Sequence, residues 1–298
     1  MWRPTRKTLI RNSVTVLLEI AFLYVLLAPV VATPLYNSLL FFPTKATGYD
    51  VGNIPGIERE DVFFPSTNGK RLHGWYFTVP DAKGTVLISH GNGGNISHRL
   101  QIVSMLVRNH FNVLAYDYQG YGRSEGSPSI SGILEDGRAA YDYLVITRHV
   151  KPETMVLFGE SLGGAVAARL AKERTSAGLI LQSSFSSLCH VASSKIMFLK
   201  LYPGFLYPDT LDTAAVVKNY RQPLLIAHGS VDQIVAPAEA ELVYAASTGP
   251  KTIVRLPHAN HNDIFDTDFD QYDGAVKMFL DELGLPPPNA VPAPTDRL

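Results

Sequence analysis

One cysteine, Cys189, is all that 298 residues contain. No internal disulfide can form, and both CxxC and the Cys/His spacing of a zinc site are missing. Cysteine usage therefore leaves the redox compartment open. An excess of one charge is lacking too: 26 Lys plus Arg meet 27 Asp plus Glu, a formal net charge of −1. That balance gives no nucleic-acid footprint. There is no internal repeat, which excludes solenoids and propellers, and no motif calls for a metal or an organic cofactor. What remains is a chain of ordinary globular composition, 46% hydrophobic and 18% charged. It is long enough for one large α/β domain with an appendage, or for two small domains.

The first 32 residues differ from the rest. Arg3, Arg6, Lys7 and Arg11 precede an apolar run from Val14 to Ala32, which as a helix would reach about 28 Å, close to the ~30 Å of a bilayer's hydrocarbon core. Glu19 lies inside the run, where a central carboxylate costs ~2.5–3.5 kcal/mol, although its place near the start allows snorkelling. Pro29 sits near the end. Residues 1–32 are expected to be a membrane anchor with its N-terminus in the cytoplasm and the remaining chain exported, because the basic residues precede the run. The competing expectation is a signal cleaved after Val30-Val31-Ala32, which would leave the protein secreted or periplasmic.

Residues 33–56 read as a connecting segment in which Leu39 to Pro43 is apolar enough to lie at a membrane interface or to pack on the domain. From Ile57 the pattern alternates short β-rich runs with amphipathic helical ones. Two antiparallel strands, Glu60 to Pro65 and Arg71 to Val79, join at an Asn68-Gly69 turn. Apolar strands follow at Thr85 to Ser89, Val113 to Tyr116, Thr154 to Phe158, Gly178 to Gln182, Leu224 to His228 and Thr252 to Leu256. Helices are expected at Ser97 to Arg108, Ile130 to Ile146, Leu162 to Arg174, Pro237 to Ala246 and Gln271 to Leu283. Such alternation over 57–285 implies an α/β fold of three layers, a mostly parallel sheet with helices on both faces. Ser186 to Thr213, rich in aromatic and aliphatic residues, interrupts the alternation as a short cap. The proline-rich stretch 286–298 is expected to be a disordered tail.

Gly159-Glu160-Ser161-Leu162-Gly163 fits G-x-S-x-G, and it stands between a strand and a helix. That context is the one in which a sharp turn exposes a serine hydroxyl as a nucleophile. A glycine-rich helix start that only packs tightly is the bland alternative. A serine hydroxyl is a poor nucleophile at neutral pH, so a base must take its proton and a carboxylate must hold that base's tautomer. Asp232, in the loop after the strand at Leu224 to His228, and His261, after the strand at Thr252 to Leu256, supply both in the order Ser, Asp, His. His258 competes with His261 on the same loop. His228 ends a strand and reads as structural, and Asp263 and Asp266 are further carboxylates nearby.

Acyl transfer builds negative charge on the carbonyl oxygen, so hydrogen-bond donors must already point at it. The backbone N–H of Leu162 is one candidate. The other is the N–H of Asn92, in the loop His90-Gly91-Asn92-Gly93-Gly94-Asn95, whose glycines permit close approach to a substrate. Phosphate binding is the competing use of such a loop, but neither the Walker lysine nor GxGxxG spacing is present. Asp117 to Ser124 forms another glycine-punctuated turn, from which Arg123 is expected to reach Asp136 or Glu160.

With these residues in place, the chain from about Phe41 to Leu283 resembles the alpha/beta-hydrolase superfamily. The motifs that carry the likeness are His90 to Asn95, Asp117 to Ser124, Gly159 to Gly164 and His228-Gly229-Ser230-Val231-Asp232. They look like its membrane-anchored branch, which includes protein depalmitoylases and bacterial relatives of unknown substrate. Gln119 departs from the arginine usual before Gly-Tyr-Gly in that branch. The resemblance implies cleavage of an acyl ester, a thioester or a lipid-like substrate by an acyl-enzyme route. A peptidase or amidase, or a non-enzymatic membrane scaffold, would share the same fold. Met197-Phe198-Leu199, Leu201-Tyr202 and Phe205-Leu206-Tyr207 of the cap suggest an apolar acyl pocket, a membrane-facing mouth or ordinary core.

Overall fold

The computed structural model describes residues 6–45, 54, 56–207 and 211–285. The expected tail, 286–298, lies outside the described residues, as do part of the connecting segment and three residues of the cap. In chain order the elements begin with α1 (Arg6–Leu26), α2 (Thr33–Leu40), β1 (Phe42–Pro43), β2 (Glu58–Pro65), β3 (Arg71–Thr78), β4 (Gly84–Ser89) and β5 (Gly93–Gly94). Then come α3 (Leu100–Arg108), β6 (Phe111–Asp117), α4 (Ile130–Asp142), β7 (Met155–Glu160), α5 (Leu162–Glu173), β8 (Gly178–Gln182), α6 (Leu188–Lys195) and α7 (Thr213–Val217). The chain closes with β9 (Leu224–Gly229), α8 (Pro237–Ala246), β10 (Lys251–Leu256), α9 (Ile264–Thr267) and α10 (Phe269–Glu282).

Eight strands form one sheet in the order β10-β9-β8-β7-β4-β6-β3-β2. From β10 to β6 every pairing is parallel, and β3 and β2 are added antiparallel at one edge. Central strands are buried on both faces, and successive side chains go to opposite sides. Leu87, Leu114 and Leu157 meet α4 and α5 residues such as Leu134 and Val166 on one face. Their neighbours Val86, Val113 and Phe158 meet Ile102 of α3 and Phe279 of α10 on the other. Burying each such Val, Leu or Phe side chain is worth ~1.5–3 kcal/mol, and the three-layer arrangement is the one that covers both faces.

Helix ends differ from the sequence pattern for local reasons. Asn95 accepts the Ser97 N–H and starts a 3-10 turn, Ile96–Arg99, so the α-helix begins only at Leu100. After Asp142 the expected helix widens into a π turn over Tyr143–Thr147.

The largest departure lies at the N-terminus. The apolar run does not form one helix to Ala32; α1 stops at Leu26, and the chain turns, with the N–H groups of Val31 and Ala32 both donating to the Ala28 carbonyl at 2.8 Å. Pro29 disfavours helical geometry at the residue before it, which breaks the run there. As a helix Val14–Leu26 spans about 20 Å, short of the ~30 Å hydrocarbon core. Among the described residues, no helix is long and apolar enough to cross a membrane. The side chains from Asn12 to Leu26 are nonetheless exposed, Leu18 and Phe22 by two thirds.

The C-terminal end of α1 leans on the cap. Tyr24 stacks on Tyr202 with ring centroids 4.5 Å apart, and each tyrosine hydroxyl donates to a carbonyl across the contact, Tyr24 to Leu201 and Tyr202 to Tyr24. Ala28, Leu199, Tyr202 and Tyr207 bury one another in a small separate core.

Candidate active site

Ser161 occupies the turn between β7 and α5 with φ 51° and ψ −116°, a backbone region that costs a side-chain-bearing residue of order 1–3 kcal/mol. The surroundings leave no room to relax it. A Cβ on Gly163 would press on the Ser89 carbonyl, and one on Gly159 would press on the Gly163-Gly164 backbone. The Ser161 N–H donates to the Gln182 carbonyl at 2.8 Å, and the Ser184 hydroxyl donates to the Ser161 carbonyl at 3.1 Å.

The loops after β9 and β10 bring the expected partners together. His261 Nε2 lies 3.1 Å from Ser161 Oγ, and His261 Nδ1 lies 2.7 Å from Asp232 Oδ2. With the carboxylate accepting at Nδ1, the neutral ring carries its proton there and presents the Nε2 lone pair to the hydroxyl. The other carboxylate oxygen of Asp232 accepts the N–H groups of Ile234 and Val235, each at 2.8 Å. Burial by itself would raise the Asp232 pKa. Hydrogen bonds from His228, His261 and Val235 outweigh it and hold the carboxyl well below its usual range.

The competing residues go elsewhere. His258 is 74% exposed at its side chain and pairs with Asp268, Nδ1 to Oδ1 2.8 Å. Asp268 was not marked by the motif pattern; it also accepts the N–H groups of His258 and Ala259. Asp263 accepts the Asn260 N–H at 2.6 Å, and Asp266 lies in α9. His228 is buried, its Nε2 2.9 Å from the Val235 carbonyl and 3.3 Å from Asp232.

Among the described residues, no hydrogen bond occupies the N–H of Asn92 or of Leu162, whereas the neighbouring Gly91 N–H donates to Glu160 Oε2 at 3.3 Å. Arg123 reaches neither Asp136 nor Glu160; its guanidinium bonds Asp61 at 2.8 Å on the far side of the turn. Asp136 is held instead by Gln119, which donates to it from the backbone N–H and from Nε2 at 2.8 and 2.7 Å, and by the Ser66 hydroxyl. Glu160 pairs with Arg99 through both oxygens, at 2.7 and 3.1 Å. Burial alone would raise the Glu160 carboxyl, and the Arg99 cation brings it below its usual range. Arg99 is a residue the motif pattern missed; it stands four residues after the Asn95 that closes the glycine-rich loop. His90 is fully enclosed, and burial followed by the nearby Arg99 charge lowers its pKa to about 4, so the ring is neutral.

The family described as "Serine aminopeptidase, S33" matches residues 80–209. The alpha/beta hydrolase domain-containing protein WAV2 of Arabidopsis thaliana is 34% identical over 242 residues, 75% of this chain and 79% of that protein. The uncharacterized protein YfhR of Escherichia coli K12 is 35% identical over 69% of this chain and 74% of its own. A protein of Saccharomyces cerevisiae whose name calls it an uncharacterized membrane protein is 29% identical over 84% of this chain and 90% of its own. Among solved structures, an esterase of Pyrococcus furiosus superposes with a TM-score of 0.65 at 19% identity, covering 82% of this chain and 98% of the esterase.

The chain belongs to the alpha/beta-hydrolase superfamily.

In this hydrolase a cavity of about 520 Å³ opens beside Ser161 and His261, with polar walls at Asn92, Arg99, Glu160 and Gln182 and apolar ones at Ile234 and Phe265. Among the described residues, none of the cap lines it. Several of the cap's aromatic and aliphatic residues instead line a second cavity of about 260 Å³ shared with α2, among Tyr36, Leu40, Val191, Ile196, Leu199 and Tyr207. Met197 and Phe205 of the cap stand more than 80% exposed. Among the described residues, no cluster of three or more His, Cys, Asp or Glu is arranged to hold a metal ion.

Proposed function

We propose that this hydrolase cleaves acyl esters or thioesters, with Ser161 as nucleophile, His261 as general base and Asp232 as the carboxylate that orients it. The observation that carries this reading is the single imidazole bonded on one side to Ser161 Oγ at 3.1 Å and on the other to Asp232 at 2.7 Å. Ser161 Oγ attacks the acyl carbonyl carbon while its proton passes to His261 Nε2, and the resulting imidazolium is stabilised by Asp232. The oxyanion is received by the N–H groups of Leu162 and Asn92. Collapse expels the alcohol or thiol with the proton from Nε2. Water activated by the same imidazole then clears the acyl-enzyme.

The esterase structures of the same fold support the ester side of this reading. The name of the matching family favours a second one, peptide or amide hydrolysis by the same three residues, with His261 protonating a leaving amine. Turnover of matched ester and amide substrates separates the two. The exposed apolar residues of α1, the basic residues that precede Val14 and the naming of the yeast relative support attachment to a membrane through residues 1–32, with the catalytic domain exported.

The test is labelling by a fluorophosphonate probe of the wild type beside Ser161→Ala and His261→Ala. Labelling in the wild type that is absent from both variants is the expected result. A folded wild type that stays unlabelled would overturn the proposal.

A further inference from the structure

The segment between α2 and the hydrolase domain is built into the candidate site. Phe41 is buried on the core face that also holds Tyr118 and Tyr121. From there β1 runs parallel to β5, Phe42 opposite Gly93 and Pro43 opposite Gly94. Hydrogen bonds beyond the β1–β5 ladder join this segment to the loop that carries Asn92. The Phe42 N–H donates to the Asn92 carbonyl at 3.0 Å and the Thr44 N–H to the Gly94 carbonyl at 2.9 Å. In return the Asn92 side-chain amide donates to the Leu40 carbonyl at 2.8 Å and that of Asn95 to the Thr44 carbonyl at 3.1 Å. Tyr121 adds its hydroxyl to the Asn92 carbonyl at 2.6 Å, and the Gly122 N–H returns to the Thr44 carbonyl at 2.9 Å. The inner side of the same loop is held by Arg99, whose guanidinium donates to the Gly93 carbonyl at 2.9 Å.

The loop needs this support. Asn92 has glycine on both sides, and glycine gives a chain little stiffness of its own. An oxyanion donor works only if it is aimed before the charge develops, and a displacement of ~1 Å can cost ~100-fold in rate.

We propose that residues 40–45 act as a positioning strap for the oxyanion loop, so that the chain leading from the N-terminal helices is part of the catalytic apparatus. The strap holds Asn92 by its carbonyl and its side-chain amide and leaves its N–H free for the substrate. The inference rests on the reading of Ser161 as nucleophile and of the Asn92 N–H as an oxyanion donor.

The test compares full-length wild type with Thr44→Pro, which removes one strap donor, and with Asn92→Ala, which removes the amide to Leu40 but keeps the Asn92 N–H. Ser38→Ala, on the exposed side of α2, is the control. Active sites are counted by fluorophosphonate titration, so kcat refers to competent molecules only. The readouts are kcat, KM for a short soluble ester, and Ki for an alkylboronic acid, whose tetrahedral adduct on Ser161 needs the oxyanion hole. The expected result is a kcat lower by about 10- to 100-fold in both variants, KM within about 3-fold, and a boronate Ki weakened in proportion.

A strap that merely helps the fold to form would lower the titratable fraction and the melting temperature while kcat per site and Ki stayed at wild-type values, and that result would overturn the proposal. If Thr44→Pro does not fold, Asn92→Ala decides alone. A labelled wild type with unchanged Ki in the variants sinks the strap and spares the hydrolase reading. An unlabelled wild type sinks both.

Discussion

Two histidine–aspartate pairs occupy the C-terminal loops of this hydrolase, and they are chemically the same. His261 Nδ1 lies 2.7 Å from Asp232, and His258 Nδ1 lies 2.8 Å from Asp268. Both carboxyls sit below their ordinary pKa, burial being outweighed by histidine and backbone donors in each case. The difference is at the other ring nitrogen. In the first pair Nε2 meets Ser161 Oγ inside a buried site; in the second the ring is 74% exposed. A bonded imidazole–carboxylate pair is therefore no signature of a catalytic base until its second nitrogen has a proton to take. The second pair has a different use: Asp268 accepts two consecutive backbone N–H groups, those of His258 and Ala259, and so anchors the start of the loop that delivers His261.

The sharpest way to break this comparison is to remove each ring. His261→Ala is expected to lower kcat on an activated ester by about 10⁴-fold or more, as loss of the base leaves only the oxyanion hole and binding. A loss below ten-fold in a folded variant would mean that another group takes the serine proton. Asp232→Asn should cost about 10³- to 10⁴-fold, because an amide donor at Nδ1 favours the wrong tautomer; steady-state kinetics checks it.

Asp268→Ala tests the anchoring use. It leaves two backbone donors without a partner, a cost of ~1–3 kcal/mol each where they stay buried. A lower melting temperature with a loss of kcat nearer ten-fold is the expected outcome, and a full loss of activity at unchanged stability would contradict it.

The pairs should behave alike in acid. A carboxyl whose folded pKa is depressed contributes stability that is present above its unfolded value, about 3.9, and lost as pH falls through the lower folded value. The wild-type melting temperature should thus drop below about pH 4, and each of Asp232→Asn and Asp268→Asn should flatten part of that drop. The smallest effect belongs to His258→Ala, for which kcat within about 2-fold of wild type is expected because the exposed ring touches no reacting group. A large loss there would erase the distinction between the pairs.

Much of the body was legible in advance because its signals are local. Strands at Thr85 to Ser89 and Gly178 to Gln182 could be read from continuous apolar runs, since strands buried on both faces need no polar positions. The Ser161 turn could be read because a backbone at φ 51° beside two close-packed segments tolerates little but glycine around the serine. The N-terminal run was less legible: its composition promised one span, and a single proline at position 29 divided it. Arg123 and Arg99 show the same limit for charge. Arg123 was a candidate partner for Asp136 or Glu160 and Arg99 went unmarked, but folding turned Arg123 to Asp61 and brought Arg99 to Glu160.

The sequence alone determined the alternation of strands and helices, the turn that bears Ser161, and the chain order of serine, aspartate and histidine, because periodicity and turn chemistry act over a few residues. Tertiary structure decided the rest. It brought His261, and not His258 three positions earlier, to Ser161 across 100 positions of chain, and left the other ring in solvent. It also drew residues 40–45 onto the Asn92 loop, some fifty positions away in the chain. Such contacts depend on how separate elements pack, and no local pattern encodes which of several equivalent donors ends up within 3 Å of a given acceptor.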